Sequence, residues 1–577
     1  MRKRKMLYLF QLCGMLFLTG ALLGDTLRES RKYEPVVIPA YFDIVSSIAN
    51  AKVSEIYLYS YNSETAQFQM MPFQIDEQTF GPNPLKPSES KWMYLIPELW
   101  KSDPINITGH NGLFDDHDEL VFILEDCGAK APQGAYLEKQ GIKLVPKIEI
   151  ILQDPDDAAN AVYAYVFKSA VAEPIPDKYE FRYYPAQDSL STKNYGLDLD
   201  ANGTVDDIVI KSPGGNDKDL LDKLKIRFSG ILDFSFPIEV LVKEHDFYLF
   251  PEIIVTPKPV VRLIRYSVMT LKLGDYIINE IAFPVTTKFY PYSGDIVGGT
   301  SLAPEDLRFY YNDVEVMMIL HSVRESWDYN ENAVGMKFYN EFNNGLNIDG
   351  LSDPAVKSVN LPVNSWDLTT GNQGSIFKIA RFKEQKWGGV ELYYWDNQKG
   401  GQADSAYFGN EDSGDMKSFG DNGVLFMNKP DQDSVTLELN YTVFFVPEKN
   451  LLQSHGQKLA YMVNHPVQLS RMLISDVSGT EDQKPKSNEL LYNYPNPFNQ
   501  STLINFTLFD QEHVQLDIFD VQGKWITELA SGEYPAGLHQ VAWNGVNADG
   551  TAIPSGVYYC RLKGANHTSI TKIVMVK

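Results

Sequence analysis

Short runs of alternating apolar and polar residues, cut by Gly, Pro, Asn and Asp, recur along most of this chain. Successive side chains of a strand point to opposite faces, so this period of two marks a segment that buries one face and wets the other. The clearest run is Val435 to Val443: Val435, Leu437, Leu439, Tyr441 and Val443 share one face, and Thr436, Glu438, Asn440 and Thr442 the other. It predicts a strand in a sheet with one wet side. Comparable runs at Lys147–Leu152, Val162–Phe167, Ile208–Ile210, Val260–Leu273, Tyr276–Thr287 and Gly389–Trp395 predict further strands. Helical spacing is scarce, with Asp217–Lys225 the best short stretch. The 33 Tyr and 31 Phe suit half-buried pleated surfaces. The expectation is an all-β protein, and because turn and aromatic motifs follow no fixed period, packed sandwiches are favoured over a propeller or solenoid.

At 577 residues the chain is too long for one core, since single cores stop growing at about 250–300 residues. The start, MRKRK followed by the apolar run Met6 to Leu23, has the layout of a signal peptide over residues 1–24. Residues 25–472 then form a β-rich region, a large β-sandwich of one or two domains with a possible boundary near 250. Residues 473–489 lose nearly all apolar side chains and read as a flexible linker, and 490–577 form a last domain. The leader implies a secreted or cell-surface location, reached through the periplasm. Beyond it only Cys127 and Cys560 remain, placed in different domains, with Cys560 sharing a strand face with Tyr558 and Leu562. At most one disulfide is possible, and a buried free thiol is the better reading. A net charge of −24 repels phosphate backbones and attracts divalent cations, so nucleic acid is excluded as a partner.

The strongest chemical pattern is Asp198-Leu-Asp200-Ala-Asn202-Gly203-Thr204-Val205-Asp206. Calcium takes six to eight oxygens, and side chains at alternate positions of a tight loop converge where a Gly permits the sharp turn. Asp198, Asp200, Asn202 and Asp206 offer side-chain oxygens and Thr204 its carbonyl, which predicts a structural calcium loop. The closing Glu of an EF-hand is missing, since Val209 holds that place. The bland alternative is a solvated acidic turn.

Two further acidic stretches stand out: Pro72-Phe73-Gln74-Ile75-Asp76-Glu77, and Gly112-Leu-Phe-Asp115-Asp116-His117-Asp118-Glu119 before the strand Leu120–Leu124. Asp76 and Glu119 could work as paired acid and base, or simply solvate a loop. Tyr393-Tyr394-Trp395-Asp396, Gly414-Asp415 and Phe419-Gly420-Asp421-Asn422-Gly423 read as loops with aromatics beside acids, which suits sugar rings. Trp395, Asp396, Asp415 and Asp421 are therefore candidate ligand residues, with a core role for Trp395, Trp327, Trp366 and Trp387 as the alternative. No His-Glu-x-x-His, Gly-x-Ser-x-Gly or phosphate-binding loop occurs, so catalytic residues stay unassigned. Only folding could assemble a site from residues such as Tyr339, His321, Arg324 or Glu325.

From Leu490 the tail reads LLYNYPNPFNQSTLINFTL, VQLDIFDVQGKWITEL, AGLHQVAWNGVNADG and SGVYYCRLKG, ending in KIVMVK. Tyr494-Pro495-Asn496-Pro497-Phe498, Gly523, Gly537, Trp543, Gly545, Asp549-Gly550, Gly556 and Tyr558 fall in the order of one family. The tail resembles the C-terminal (type A) sorting domain of type IX secretion cargo, related to the Ig-like domain of flagellar hook-cap proteins. That resemblance implies an Ig-like β-sandwich, recognition by an outer-membrane secretion translocon, and anchoring to surface glycolipid or release. The large region is then expected to bind extracellular carbohydrate or another surface polymer, with calcium stiffening one loop. A polysaccharide lyase or hydrolase on a large sandwich, and a structural adhesin, are the alternatives.

Overall fold

The computed structural model describes residues 27–40, 48, 50–83, 86–94, 112–115, 118–199, 205, 207–232, 236–242, 247–249, 253–254, 259–271, 281–302, 308–311, 314–351, 361–362, 364–382, 388–398, 417–427, 435–473, 492–494, 502–508, 511–520, 523–534, 537–564 and 568–575. The signal-peptide expectation for residues 1–24 lies outside them. The chain forms two compact units, Met1–Ser475 and Asp476–Lys577. Among the described residues, no helix is long and apolar enough to cross a membrane, a statement that does not bear on β-barrels.

The first unit is built on antiparallel sheets. Strands Gln67–Met70, Ile56–Asn62, Ala161–Lys168, Ile148–Gln153 and Gln468–Leu473 form a five-stranded sheet, so the last strand of the unit pairs with one more than 300 residues before it. Ile148, Ile150 and Leu152 alternate onto one face and are fully buried. They pack with Val162, Ala164 and Val166 in the core that also takes Leu120 and Phe122 of a neighbouring three-stranded sheet, Pro35–Pro39, Glu119–Ile123 and Gln74–Asp76. Each such aliphatic or aromatic side chain contributes about 1.5–3 kcal/mol on burial.

A six-stranded and a ten-stranded sheet share the other large core. The first holds Phe236–Val242, Leu221–Leu232, Val314–Tyr329, Ser418–Met427 and Gly389–Asn397, with Arg308–Tyr311 on Val314–Tyr329. The second runs from Phe247–Leu249 through Leu263–Leu271, Ile281–Phe289, Ser293–Leu302, Val435–Val446, Gly374–Arg381, Asn364–Gly371 and Lys337–Asn340 to Asn344–Asn347, with Ile253–Ile254 beside Leu263–Leu271. Val323, Trp327 and Phe426 of one meet Ile376, Tyr441 and Val443 of the other in one cluster.

Two expectations are corrected here. Asp217–Lys225 is not helical: from Leu221 it is strand, paired with the Ser326–Tyr329 end of Val314–Tyr329. Pairing with that long strand outweighs the weak local spacing. Nor is the strand from Val435 wet on one side throughout, because residues 441 to 446 are all buried. Tyr441, Val443 and Phe445 face the shared core, whereas Phe444 and Val446 lie under a helix, Gln453–Asn464. That helix, which the strand-dominated reading did not anticipate, sets Leu459, Ala460 and Met462 against Trp366, Phe377 and Phe444. Gly456 brings it close: a Cβ there would collide with the Trp366 ring.

The second unit is a sandwich of two sheets, Tyr492–Tyr494/Thr502–Leu508/Gly537–Trp543 and Trp525–Tyr534/Glu512–Asp520/Gly556–Lys563/Thr568–Met575. Ile504, Phe506, Leu516, Ile518, Trp543, Cys560 and Ile573 fill its core. Cys127 and Cys560 are both free and buried, and burial raises each thiol above its ordinary pKa.

Candidate functional site

The two acidic stretches of the N-terminal region meet on one arginine. Asp76 and Glu119 are directly opposite on paired strands. Between them lies the fully buried Arg262, whose Nε donates to Asp76 Oδ2 at 2.7 Å and whose Nη2 donates to Glu119 Oε2 at 2.7 Å. Gln74 locks the same segment: its Oε1 accepts from the Val260 N–H at 2.9 Å and its Nε2 donates to the Arg262 carbonyl at 2.9 Å. Tyr94 donates to Glu119 at 3.0 Å and accepts from Lys288 Nζ at 2.8 Å. Nearby, Asp118 accepts from the N–H groups of Gln78 and Asp115, and Glu77 accepts from that of Gly112.

Arg262 and Lys288 offset the burial of Glu119 and hold its carboxyl below the usual glutamate range. A carboxylate kept ionised by a buried guanidinium is a poor proton donor. The acid and base pair suggested by the sequence is thus an arginine clamp joining the 259–262 segment to the three-stranded sheet. Asp116 and His117 lie outside the described residues.

A second polar cluster sits in the core between the large sheets. Lys378, 2% exposed, donates from Nζ to Asn422 Oδ1 at 2.6 Å, across from one sheet to the other. Asp367, its direct partner on the adjacent strand, brings Oδ2 to 3.6 Å from the same nitrogen. The Nζ stands 4.8 Å from the centre of the Trp327 ring. Tyr441 donates to Glu325 at the rim of the cluster. Glu325, Asp367, Lys378 and Tyr441 line a cavity of about 20 Å³. That is room for one water and far too little for a sugar ring.

Burial drives the titration of this cluster. It pushes Glu325 up to about 7 and Asp367 up to about 6, and it lowers Lys378 against the attraction of Asp367 and Glu325. The arrangement brings a largely desolvated amine against a side-chain amide, beside carboxyls that hold protons near neutrality.

Two of the three stretches read as ligand loops are strands. Gly389–Asn397 pairs with Ser418–Met427, setting Trp395 opposite Asp421 and Tyr394 opposite Asn422. Asp396 is 2% exposed and its carboxylate accepts from the N–H groups of Asp349, Gly350 and Gly420. Asp421 is fully buried, Trp395 is half-buried, and Asp415 and Trp387 lie outside the described residues. Trp327 and Trp366 are core. Tyr339 is buried, and Arg324 is buried with its guanidinium 4.0 Å from the centre of the Tyr393 ring. His321 lies on the strand Val314–Tyr329, its side chain outside the described set.

Of the calcium loop, Asp198 ends strand Tyr195–Asp198 and is paired with Asp207, which begins strand Asp207–Ile210. Asp200, Asn202, Thr204 and Asp206 lie outside the described residues. Burial raises the Asp207 carboxyl, and the nearby Asp198 raises it further.

In the tail, the family motif turns out to be corners and packing. The Trp543 indole is buried, donates to the Val546 carbonyl at 3.1 Å and meets the Tyr558 ring edge-on at 5.6 Å. Tyr558 donates to the Pro554 carbonyl at 2.7 Å. Asp549-Gly550 makes a turn in which Asn547 Oδ1 accepts from the N–H groups of Asp549 and Thr551. Gly523, Gly545 and Gly550 have φ of 79°, 63° and 76°, the left-handed region that glycine enters without strain. Gly537 and Gly556 start strands, and Tyr494 ends one. Residues 495–498 lie outside the described set.

The residues missed by sequence reading are Lys378, Asp367 and Arg262. A signal for Lys378 existed: alternation places it with Ile376 and Ala380, a single charge on an apolar face.

The second unit defines itself as an Ig-like β-sandwich within an all-β chain. In agreement, the model of the FlgD Ig-like domain family matches residues 497–567. No curated protein matches the chain. Among solved structures, it is similar to dimeric latent PorU from Porphyromonas gingivalis, at 10% identity and TM-score 0.14, over 75% of this chain and 34% of that one. It is also similar to PorZ, described as an essential bacterial surface component of the type-IX secretion system of the same organism, at 12% identity and TM-score 0.12, over 76% and 67%. The chain spans about a third of PorU, and at these TM-scores neither defines a shared fold.

Proposed function

We propose that this is an exported, secreted or cell-surface protein whose Ig-like tail is the address read by an outer-membrane secretion translocon. Its large unit serves as a rigid, adhesin-like β-scaffold. One observation carries the scaffold reading: the acids and aromatics that could have formed an open ligand site, Asp76, Glu119, Asp396, Asp421, Trp327 and Trp366, are spent inside the fold. The export reading rests on the tail motif and on the basic and apolar start of the chain. Calcium belongs to the proposal as a clip at the tip of the Tyr195–Ile210 hairpin, held by Asp198, Asp200, Asn202, Thr204 and Asp206.

Two experiments test this. Expression in a bacterium with a type IX system should place the chain outside the cell, and removal of residues 490–577 should leave it in the periplasm; export of the truncated chain overturns the address. A glycan array probed with the large unit should show no calcium-dependent binding. Strong, specific binding of a polysaccharide would replace the scaffold with the polymer-binding reading, for which half-buried Trp395 and Asp415 are the residues to mutate.

A further inference from the structure

Lys378 and Asn422 belong to different sheets, and their side chains meet at 2.6 Å in a core otherwise filled by Trp327, Tyr441, Val424 and Leu392. Both side chains are buried. The Asn422 amide is held from its other end as well, since Nδ2 donates to the Gly420 carbonyl at 2.7 Å. Asp367 stands 3.6 Å from the Lys378 nitrogen, and the cavity of about 20 Å³ opens beside them. A salt bridge alone would need only Lys378 and Asp367. The added amide, fixed at both ends and pressed against the amine, is what chemistry between the two requires.

We infer that Lys378 and Asn422 form an intramolecular amide cross-link between the two large sheets. The Lys378 amine, in its neutral form, attacks Asn422 Cγ. A bond forms between Nζ and Cγ, and the bond from Cγ to Nδ2 breaks. The proton lost by Nζ passes through the Asp367 carboxyl to Nδ2, which leaves as ammonia, so the balance needs no oxidant, reductant or second molecule. The same carboxyl, when protonated, steadies the negative charge that grows on Oδ1. Burial favours each form required, lowering the pKa of the amine and raising that of the acid. The cavity has the size that departing ammonia needs, because ammonia is as small as water. Glu325, held by Tyr441 on the cavity wall, is a second carboxyl within the enclosure.

The cross-link also answers a need of the molecule. The described residues of the large unit hold no disulfide, only the free Cys127, and a covalent tie between sheets would give the scaffold the resistance that disulfides give other extracellular proteins.

The test is mass spectrometry of the purified full chain, unfolded in denaturant and digested. The expected result is one branched peptide joining the segment around Lys378 to that around Asn422, lighter than the two together by one ammonia, with the unlinked Lys378 peptide lost. Asn422→Ala should restore that peptide and lower the melting temperature, and Asp367→Ala should restore it while Asn422 is still present. Should either variant fail to fold, the wild-type digest still decides. Separate peptides at full mass from folded wild-type chain overturn the inference. So does a link from Lys378 to Asp367, which would be recognised by the loss of one water instead.

Discussion

In the C-terminal sandwich the buried Asp517 is met by Arg561, whose side chain stays 35% exposed, and by the Trp525 indole N–H at 3.0 Å. In the large unit Arg262 is entirely enclosed and holds two carboxylates from two strands. In the tail pair only the acid is withdrawn, since Arg561 keeps contact with water, and the cluster that fills this sandwich is apolar. The large unit builds its interior around charge: Arg262, Arg265, Lys378 and Asp421 are all withdrawn from water. In the large unit the buried charges pair across distant segments, as Arg262 does with Asp76 and Glu119.

Arg262→Met should produce the largest loss. It leaves Asp76 and Glu119 buried without their counter-ion, at about 3–5 kcal/mol. Arg561→Met in the tail should cost much less, because Asp517 keeps the Trp525 hydrogen bond and water can reach the gap. Urea unfolding followed by probes in each unit would measure both. Equal losses would erase the contrast.

Acidity should separate the units next. Asp118, Glu325 and Glu341 titrate near about 7, and Asp219, Asp367 and Asp396 near about 6, all raised chiefly by burial. The folded unit therefore binds more protons than the unfolded chain between the ordinary carboxylate range and pH 7. Stability is full below the unfolded pKa values and declines as pH rises through the folded ones. Glu119 acts in the opposite sense, losing its contribution as pH falls below the carboxylate range. The melting transition of the large unit should fall from pH 5 to pH 7.5 while that of the tail holds steady, as calorimetry would resolve. A rise over that interval would contradict the assignment.

Glycine offers a finer comparison. Gly456→Ala should destabilise the large unit by about 1–3 kcal/mol through overpacking against Trp366, partly offset by better helix propensity. Gly523→Ala meets no atom within 4 Å, so its cost is backbone strain alone, about 1–2 kcal/mol. Smaller still is the calcium effect: excess calcium over chelator should raise the melting temperature of the large unit by a few degrees, and Asp200→Ala should abolish the shift. An unchanged wild-type melting curve removes the metal.

The tail was the more legible of the two regions because its signals are local. Asp549-Gly550 is a turn wherever it stands, and Tyr558, Cys560 and Leu562 share a face by alternation alone. In the large unit the same reasoning found the strands Ile148–Gln153, Ala161–Lys168 and Gly389–Asn397 but misread their surroundings. Acids beside aromatics looked like solvent-facing loops, since a single chain carries no mark of what will cover it. Asp396 was covered by the backbone near Asp349, and Trp395 was half-buried in a strand paired with Ser418–Met427.

Alternation by itself determined that this is an all-β protein, and turn chemistry determined the form of its C-terminal sandwich, because both are set by residues within a few positions of one another. Only the tertiary structure decided that Asp76, Glu119 and Arg262 form a clamp and that Lys378 faces Asn422 across two sheets. Those meetings join residues up to 186 positions apart. Their cost and reward lie in burial and partner geometry, which no local pattern of residues encodes.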